Sequence, residues 1–187
     1  MHPARDFVIM ESVLAQWIYD FMGFIFLYSG AAKLWNRELF QAQVLGFDMF
    51  SAPLGRLIAA IIPLVEIVLG ACLVAGGKLL FASLVAASGL MFVFTVFVTW
   101  AYLTGRTFSC FCFGEDDGGI SAATVARNVI LVCLLGVGVW FSLMHSAPTL
   151  FFSFQRLVIA GYAASSLLIF LAGVQLLSLQ LERPKKV

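Results

Sequence analysis

Long apolar segments alternate with short polar ones along the whole chain. Each apolar segment has about 20 residues, the length that an α-helix needs to cross the hydrocarbon core of a bilayer. The pattern predicts an all-α integral membrane protein, a bundle of four to five transmembrane helices that forms a single membrane domain over residues 1–187. The predicted helices cover about residues 14–35, 54–74, 79–103, 124–144 and 157–179.

The connections between these helices differ in character. Residues 36–56 mix charged with aromatic side chains, which favours a partly helical segment lying at the membrane interface. Gly76-Gly77-Lys78 predicts a tight turn, so the second and third helices would form an antiparallel hairpin. Pro63 lies inside the second helix, where neighbouring helices must compensate the backbone carbonyl that it frees.

Composition supports the membrane assignment and excludes other classes. The chain is 62% hydrophobic and 11% charged, whereas soluble domains carry about a quarter of charged residues. Its mean hydropathy is +1.02. The net charge of +1 and the lack of a long basic run exclude a nucleic-acid partner and leave the lipid bilayer as the expected surroundings. Four cysteines are too few for a structural disulfide framework.

Candidate chemistry is concentrated in the polar loop at residues 104–120. Cys110 and Cys112 are one residue apart, so their Cα atoms would be about 5.5 to 7 Å apart, and a disulfide between them would form under strain. Strained, accessible disulfides are the labile and catalytic ones. Nearby cations and a helix N-terminus favour the reactive thiolate, and Arg106, Arg127 and the start of the fourth helix supply them.

Less reactive interpretations of the cysteines stay open at this point. Three acidic residues, Glu115–Asp117, oppose thiolate formation if they fold close to the pair. The alternatives are that the two thiols are incidental or that they bind Cu(I), although the two histidines, His2 and His145, are both remote in sequence. The other cysteines, Cys72 and Cys133, lie inside helices, where cysteine usually packs as a small hydrophobic residue.

Glu66 is the second candidate site residue. It lies near the middle of the second helix, where a carboxylate is costly unless it is paired, protonated or facing a polar cavity. Lys33 and Arg127 are the candidate partners, because the chain direction places both at the membrane face that bears the cysteine loop. The competing interpretation is that Lys33 extends to the interface.

Four motifs resemble the MauE/DoxX-like redox-associated membrane proteins, over roughly residues 17–145. The motifs, in chain order, are Phe26-x-x-Ser29-Gly30-x-x-Lys33-Leu34, Pro63-x-x-Glu66, Cys110-x-Cys112-Phe113-Gly114 and Arg127-Asn128. Their order is more specific than any one of them. The family's cysteine motif usually reads Cys-Gly-Cys-Phe-Gly, and here Phe111 replaces the glycine, which restricts the backbone.

The resemblance implies a thiol–disulfide oxidoreductase that works with a thioredoxin-like partner and supports the maturation of disulfide-containing clients. Cys110 and Cys112 would exchange electrons, and Lys33, Glu66 and Arg127 would tune or protonate the site. A membrane quinone is a candidate second electron carrier, although no residue pattern identifies a quinone site. The alternative is a non-enzymatic assembly factor or small-solute transporter centred on Glu66.

Two arguments about sidedness disagree. Cations are more frequent on the side of the cysteine loop, which favours a cytoplasmic loop. Disulfides, however, persist outside the cytoplasm. We expect a multi-pass protein of the cell (inner) membrane whose cysteine loop is extracytoplasmic.

Overall fold

The computed structural model describes residues 3–46, 51–105, 122–144 and 154–181. Within these ranges the chain forms six α-helices and one short 3-10 helix and no β-strand, which confirms the predicted all-α class. The α-helices are α1 (Pro3–Trp35), α2 (Arg37–Gly46), α3 (Ala52–Ala75), α4 (Leu80–Leu103), α5 (Ala122–Met144) and α6 (Phe154–Leu181), and the 3-10 helix (Gly77–Leu79) precedes α4.

Four of the described helical segments are long and apolar enough to cross a membrane, in agreement with an integral membrane protein. They are Ala52–Ala75, Gly77–Leu103, Ala122–Met144 and Leu157–Val174. Their large apolar side chains are widely exposed, for example Val68, Val93 and Ile169. Exposed apolar surface of this extent is what a lipid-facing bundle presents.

α1 is the central helix of the bundle. It packs against α3 most extensively and also contacts α2, α5 and α6. Side chains along much of its length, including Tyr19, Met22 and Phe26, are buried among those neighbours. Two buried polar residues, Gln16 and Asp20, lower the hydropathy of α1, and α1 is not one of the four candidate spans. The helix begins at Pro3, well before the predicted start near residue 14.

Small residues bring the backbones of α1 and α3 close together. A Cβ atom on Gly23 would lie 3.0 Å from the carbonyl oxygen of Gly70, and one on Gly70 would lie 2.7 Å from the carbonyl oxygen of Gly23. At Gly30, an added Cβ would lie 2.8 Å from the carbonyl oxygen of Pro63. Such contacts between small residues are typical of helix pairs in membranes, and they fix the register of α1 against α3.

Two glycines form the predicted turn between α3 and α4, and a short helix lies in the connection between α1 and α3. Gly76 and Gly77 have φ angles of 69° and 76°, so they make the left-handed turn that connects α3 to α4. The segment that was predicted to lie at the membrane interface contains α2, which packs on the first part of α3 and buries Phe40.

The packing of α5 defines which end of the bundle bears the cysteine segment. Gly138, late in α5, lies against Tyr19 of α1 and Leu84, early in α4, so α4 and α5 are antiparallel. The last turn of α4 and the first turn of α5 are therefore at the same end of the bundle, and residues 104–121 connect them there.

Candidate functional site

A buried ion pair joins α1 to α3. The Lys33 ammonium group donates a hydrogen bond to Oε1 of Glu66 and a second one, of 2.8 Å, to Oγ of Ser29. Lys33 is only 3% exposed and Glu66 only 8% exposed. Lys33 therefore points into the bundle and does not extend to the interface as the competing interpretation required.

The local sequence explains why these two side chains meet. Gly30 lies against the Pro63 carbonyl group, which brings the helix axes close at that level. Lys33 follows Gly30 by three residues and Glu66 follows Pro63 by three, so each lies one turn along its helix on nearly the same face as the contact. Because α1 and α3 are antiparallel, the two residues lie on opposite sides of the contact, and both side chains lean back toward it, each in the direction of its helix N-terminus. The contact of Gly30 with Pro63 thus determines the distance and the register at which Lys33 and Glu66 meet.

Aromatic rings complete the surroundings of the Lys33 ammonium group. Its Nζ lies 5.6 Å from the centroid of the Phe40 ring, on α2, and 5.8 Å from that of Phe94, on α4. A cation over a ring in a desolvated setting contributes about 1 to 2 kcal/mol. These contacts offset part of the cost of removing the charge from water, and they connect the ion pair to four helices.

A small cavity lies beside the ion pair, between α1, α3, α4 and α5. Its volume is about 50 Å³. The polar atoms on its wall come from Ser29, Lys33, Glu66 and Asn128, and the apolar part of the wall consists of Ile25, Phe26, Ile62, Leu90, Met91 and Phe94. The arrangement is a polar cluster with a largely apolar wall around it, which is the setting expected for an intramembrane ionisable group with a function.

Asn128 is the residue that α5 contributes to this cavity. Its side chain is 0% exposed. Neither its amide nitrogen nor its amide oxygen has a hydrogen-bond partner among the described residues, and the same holds for Oε2 of Glu66. Arg127 was the other candidate partner of Glu66, and it is also buried in α5. The residue of α5 that lines the cavity beside Glu66, however, is Asn128.

Two of the four cysteines lie within the described residues, and the proposed redox pair does not. Cys110 and Cys112 lie outside the described residues, as does Arg106. Cys72 on α3 is half-buried and Cys133 on α5 is exposed, and both are free thiols. By position along the helices, Phe94 is about 14 Å from the end of α4 and Asn128 about 9 Å from the start of α5, so the cavity lies below the segment that carries the cysteine pair.

A second buried polar cluster was not predicted from the sequence. Nε2 of Gln16 donates a 2.9 Å hydrogen bond to Oδ1 of Asp20, and both residues are buried in the first half of α1. Between them Tyr19 donates a 3.2 Å hydrogen bond to the carbonyl oxygen of Gly138. The sequence did contain a sign of this cluster. Asp20 is a carboxylate within an apolar helix, and the same argument that identified Glu66 as a candidate site residue applies to it.

Comparison with known proteins gives two findings. The family model described as "Methylamine utilisation protein MauE" matches residues 11–141. The methylamine utilization protein MauE of Paracoccus denitrificans is 31% identical to this chain over 132 residues, which cover 69% of each chain. No solved structure matches the chain significantly. The family match includes the ion pair, the cavity and the cysteine motif, whereas α6 lies beyond it.

Proposed function

The chain belongs to the MauE family of methylamine utilisation proteins, and on this premise we propose that it is a membrane thiol–disulfide oxidoreductase. Cys110 and Cys112 are its redox pair. A thioredoxin-like protein is its partner, and the exchange supports the maturation of disulfide-containing clients. The observation that carries the proposal is the buried Lys33–Glu66 pair, which lies inside the bundle below the end that bears the cysteine segment.

The cysteine motif supports the redox part of the proposal. Cys110 and Cys112 lie in the connection between α4 and α5, at a spacing that permits only a strained disulfide. A strained disulfide is easily reduced, which suits a pair that cycles between two states. The N-terminus of α5, at Ala122, directs its positive dipole end toward that connection and favours a thiolate there.

The exchange itself balances between the two proteins. A partner thiolate attacks one sulfur of the Cys110–Cys112 disulfide, the S–S bond breaks, and the other cysteine leaves as a thiolate. The second partner thiol, as its thiolate, then attacks the mixed disulfide and releases the first cysteine. Two electrons pass to the membrane protein, and the partner becomes the disulfide. In the opposite direction the same steps run in reverse.

The ion pair supports the proposal as an electrostatic element below the reactive segment. Because the Lys33 and Glu66 charges offset each other, the pair has no net charge. Arg127, buried in the first part of α5, is the third charged residue in this region. A charge shifts the pKa of a thiol according to its sign and its distance, so the loss of any of the three, which changes the net charge below the segment, would alter how readily the cysteines react.

A thiol-trapping experiment tests the proposal. In a Cys72→Ser/Cys133→Ser background only the proposed pair remains, since the chain has four cysteines. Membranes treated with a mass-tagged maleimide, with and without prior reduction, should differ by the mass of two tags. The matched control carries Cys110→Ser and Cys112→Ser and keeps Cys72 and Cys133, and its tagging should not depend on reductant. If both thiols of the pair stay free under oxidising conditions and with every thioredoxin-like partner tried, the proposal is wrong.

The alternative, a non-enzymatic assembly factor or solute transporter centred on Glu66, gives a different result. A Cys110→Ser/Cys112→Ser variant with full client maturation would favour it. The size of the cavity argues against a solute, because about 50 Å³ is small beside the roughly 300 Å³ or more of ordinary ligand pockets.

A further inference from the structure

The amide of Asn128 is the feature that the proposed redox function does not use. It is completely buried, it lines the cavity, and neither of its polar atoms has a partner among the described residues. Leaving a buried polar group without a hydrogen bond costs about 1 to 3 kcal/mol. Oε2 of Glu66 likewise has no partner among the described residues, and Glu66 lines the same cavity. Such groups are usually satisfied by something that occupies the space between them.

The size and chemistry of the cavity determine what that occupant is. A buried water needs about 10 to 15 Å³ of such space, so a cavity of about 50 Å³ has room for roughly three to five waters. A neutral occupant is favoured, because the two charged groups on the cavity wall, those of Lys33 and Glu66, already balance. It must also donate to Oε2 of Glu66 and to Oδ1 of Asn128 and accept from Nδ2 of Asn128. Water meets all of these requirements.

We propose that the cavity is an internal hydration site, in which water bound by Asn128 solvates the second carboxylate oxygen of Glu66. Asn128 is then a positioning residue that acts on Glu66 through water. The site stabilises an ionised Glu66 inside the bundle, since a buried ion pair is favourable only when its remaining hydrogen-bonding capacity is satisfied. This inference goes beyond the redox proposal, because it requires neither Cys110 nor Cys112.

Water-edited solid-state NMR of the full chain in lipid bilayers tests the proposal. The chain contains two asparagines, so selective ¹⁵N labelling of asparagine gives only the side-chain amides of Asn36 and Asn128. Magnetisation should pass from water to Nδ2 of Asn128 nearly as fast as to Asn36, which is partly exposed. A second sample, labelled with ¹⁵N at glutamine, supplies the reference for a dry site, the amide of Gln16, which is buried and bonded to Asp20 and is assigned by its loss in Gln16→Met. This amide should receive magnetisation several-fold more slowly.

Two outcomes in the unaltered protein would overturn the proposal. Transfer to Asn128 as slow as transfer to Gln16 would mean that the cavity is dry. Transfer from lipid acyl protons in place of water would mean that a lipid chain fills it. Because both are measured without a substitution, the test does not depend on whether a variant folds.

Asn128→Leu then tests the positioning role. With ¹³C-labelled glutamate, the Glu66 carboxyl signal is assigned by its loss in Glu66→Gln. Transfer from water to that signal should fall several-fold in Asn128→Leu and be retained in Asn128→Ser, which keeps a polar group at the cavity. Transfer to Glu38, an exposed residue of α2, should be the same in both variants. Unchanged transfer to Glu66 in Asn128→Leu would refute the role of Asn128.

Discussion

Lys33 of α1 and Glu66 of α3 form their ion pair across the point where Gly30 lies against the Pro63 carbonyl group, because in these antiparallel helices the two residues lie one turn to either side of that contact. The close contact between the helices and the ion pair are therefore parts of one structural arrangement. The glycine permits the approach, and the approach brings the two charges into contact away from bulk solvent. A buried pair of this kind is sensitive to the loss of either partner, because the other charge is left uncompensated.

Lys33→Met should destabilise the bundle by about 3 to 5 kcal/mol, since it leaves the Glu66 carboxylate buried without its cation. Unfolding in mixed micelles with increasing SDS, followed by circular dichroism, measures the change. Lys78→Met is the matched control, because Lys78 is exposed at the turn between α3 and α4. Equal stability of Lys33→Met and the control would contradict the structural role of the pair.

The double variant Lys33→Met/Glu66→Leu should be more stable than Lys33→Met alone. Replacing both members of a buried ion pair by apolar residues removes the uncompensated charge, and such replacements are often neutral or stabilising. A thermodynamic cycle of the two single variants and the double variant gives the coupling energy. Strictly additive losses would mean that the two side chains do not interact in the membrane.

Gly70→Ala should destabilise the α1–α3 contact by about 1 to 3 kcal/mol, the usual cost of overpacking. The added Cβ would lie 2.7 Å from the Gly23 carbonyl oxygen and 2.8 Å from the Leu27 amide nitrogen, both rigid backbone atoms. The same substitution at Gly89, on α4, meets no atom within 4 Å. Gly89→Ala should leave the bundle as stable as before or stabilise it by about 0.5 to 1 kcal/mol. Similar losses for both variants in the SDS titration would show that close packing is not the cause.

The sequence predicted that Glu66 requires a polar environment, but it left two cations as candidate partners. The cost of an intramembrane carboxylate is a property of one residue, so a single helix is enough to reveal it. The choice between Lys33 and Arg127 depends on the register of α1 against α3, which the contact of Gly30 with Pro63 sets. The cavity beside Asn128 depends on side chains from four helices and has no signal in any one of them.

The first helix shows a different limit of sequence analysis. Hydropathy marks where a helix can enter a bilayer, and backbone hydrogen bonding decides where the helix ends. α1 therefore begins at Pro3, because the polar residues Arg5 and Asp6 continue the helix even though they end its apolar stretch. Gln16 and Asp20 were missed, although a carboxylate within a predicted span was the stated signal for a site.

The last prediction concerns the side of the membrane on which the cysteine segment lies. If α1, α3, α4, α5 and α6 each cross the membrane, eight cations are on the side of that segment and three on the other, which alone places the segment in the cytoplasm. The eight are Lys33, Arg37, Arg56, Arg106, Arg127, Arg183, Lys185 and Lys186, and the three are Arg5, Lys78 and Arg156.

Lys33 and Arg127 are buried in the bundle, and together with Arg106 they belong to the proposed site. These three cations therefore do not report on orientation in the same way as loop residues. Without them, five cations remain on the side of the segment and three on the other side. Disulfide chemistry favours the extracytoplasmic side. We therefore expect a membrane-impermeant maleimide to label Cys110 and Cys112 in intact, reduced cells of the Cys72→Ser/Cys133→Ser variant. Labelling only after permeabilisation would place the pair in the cytoplasm, and the electrons would then be exchanged with a cytosolic thiol protein.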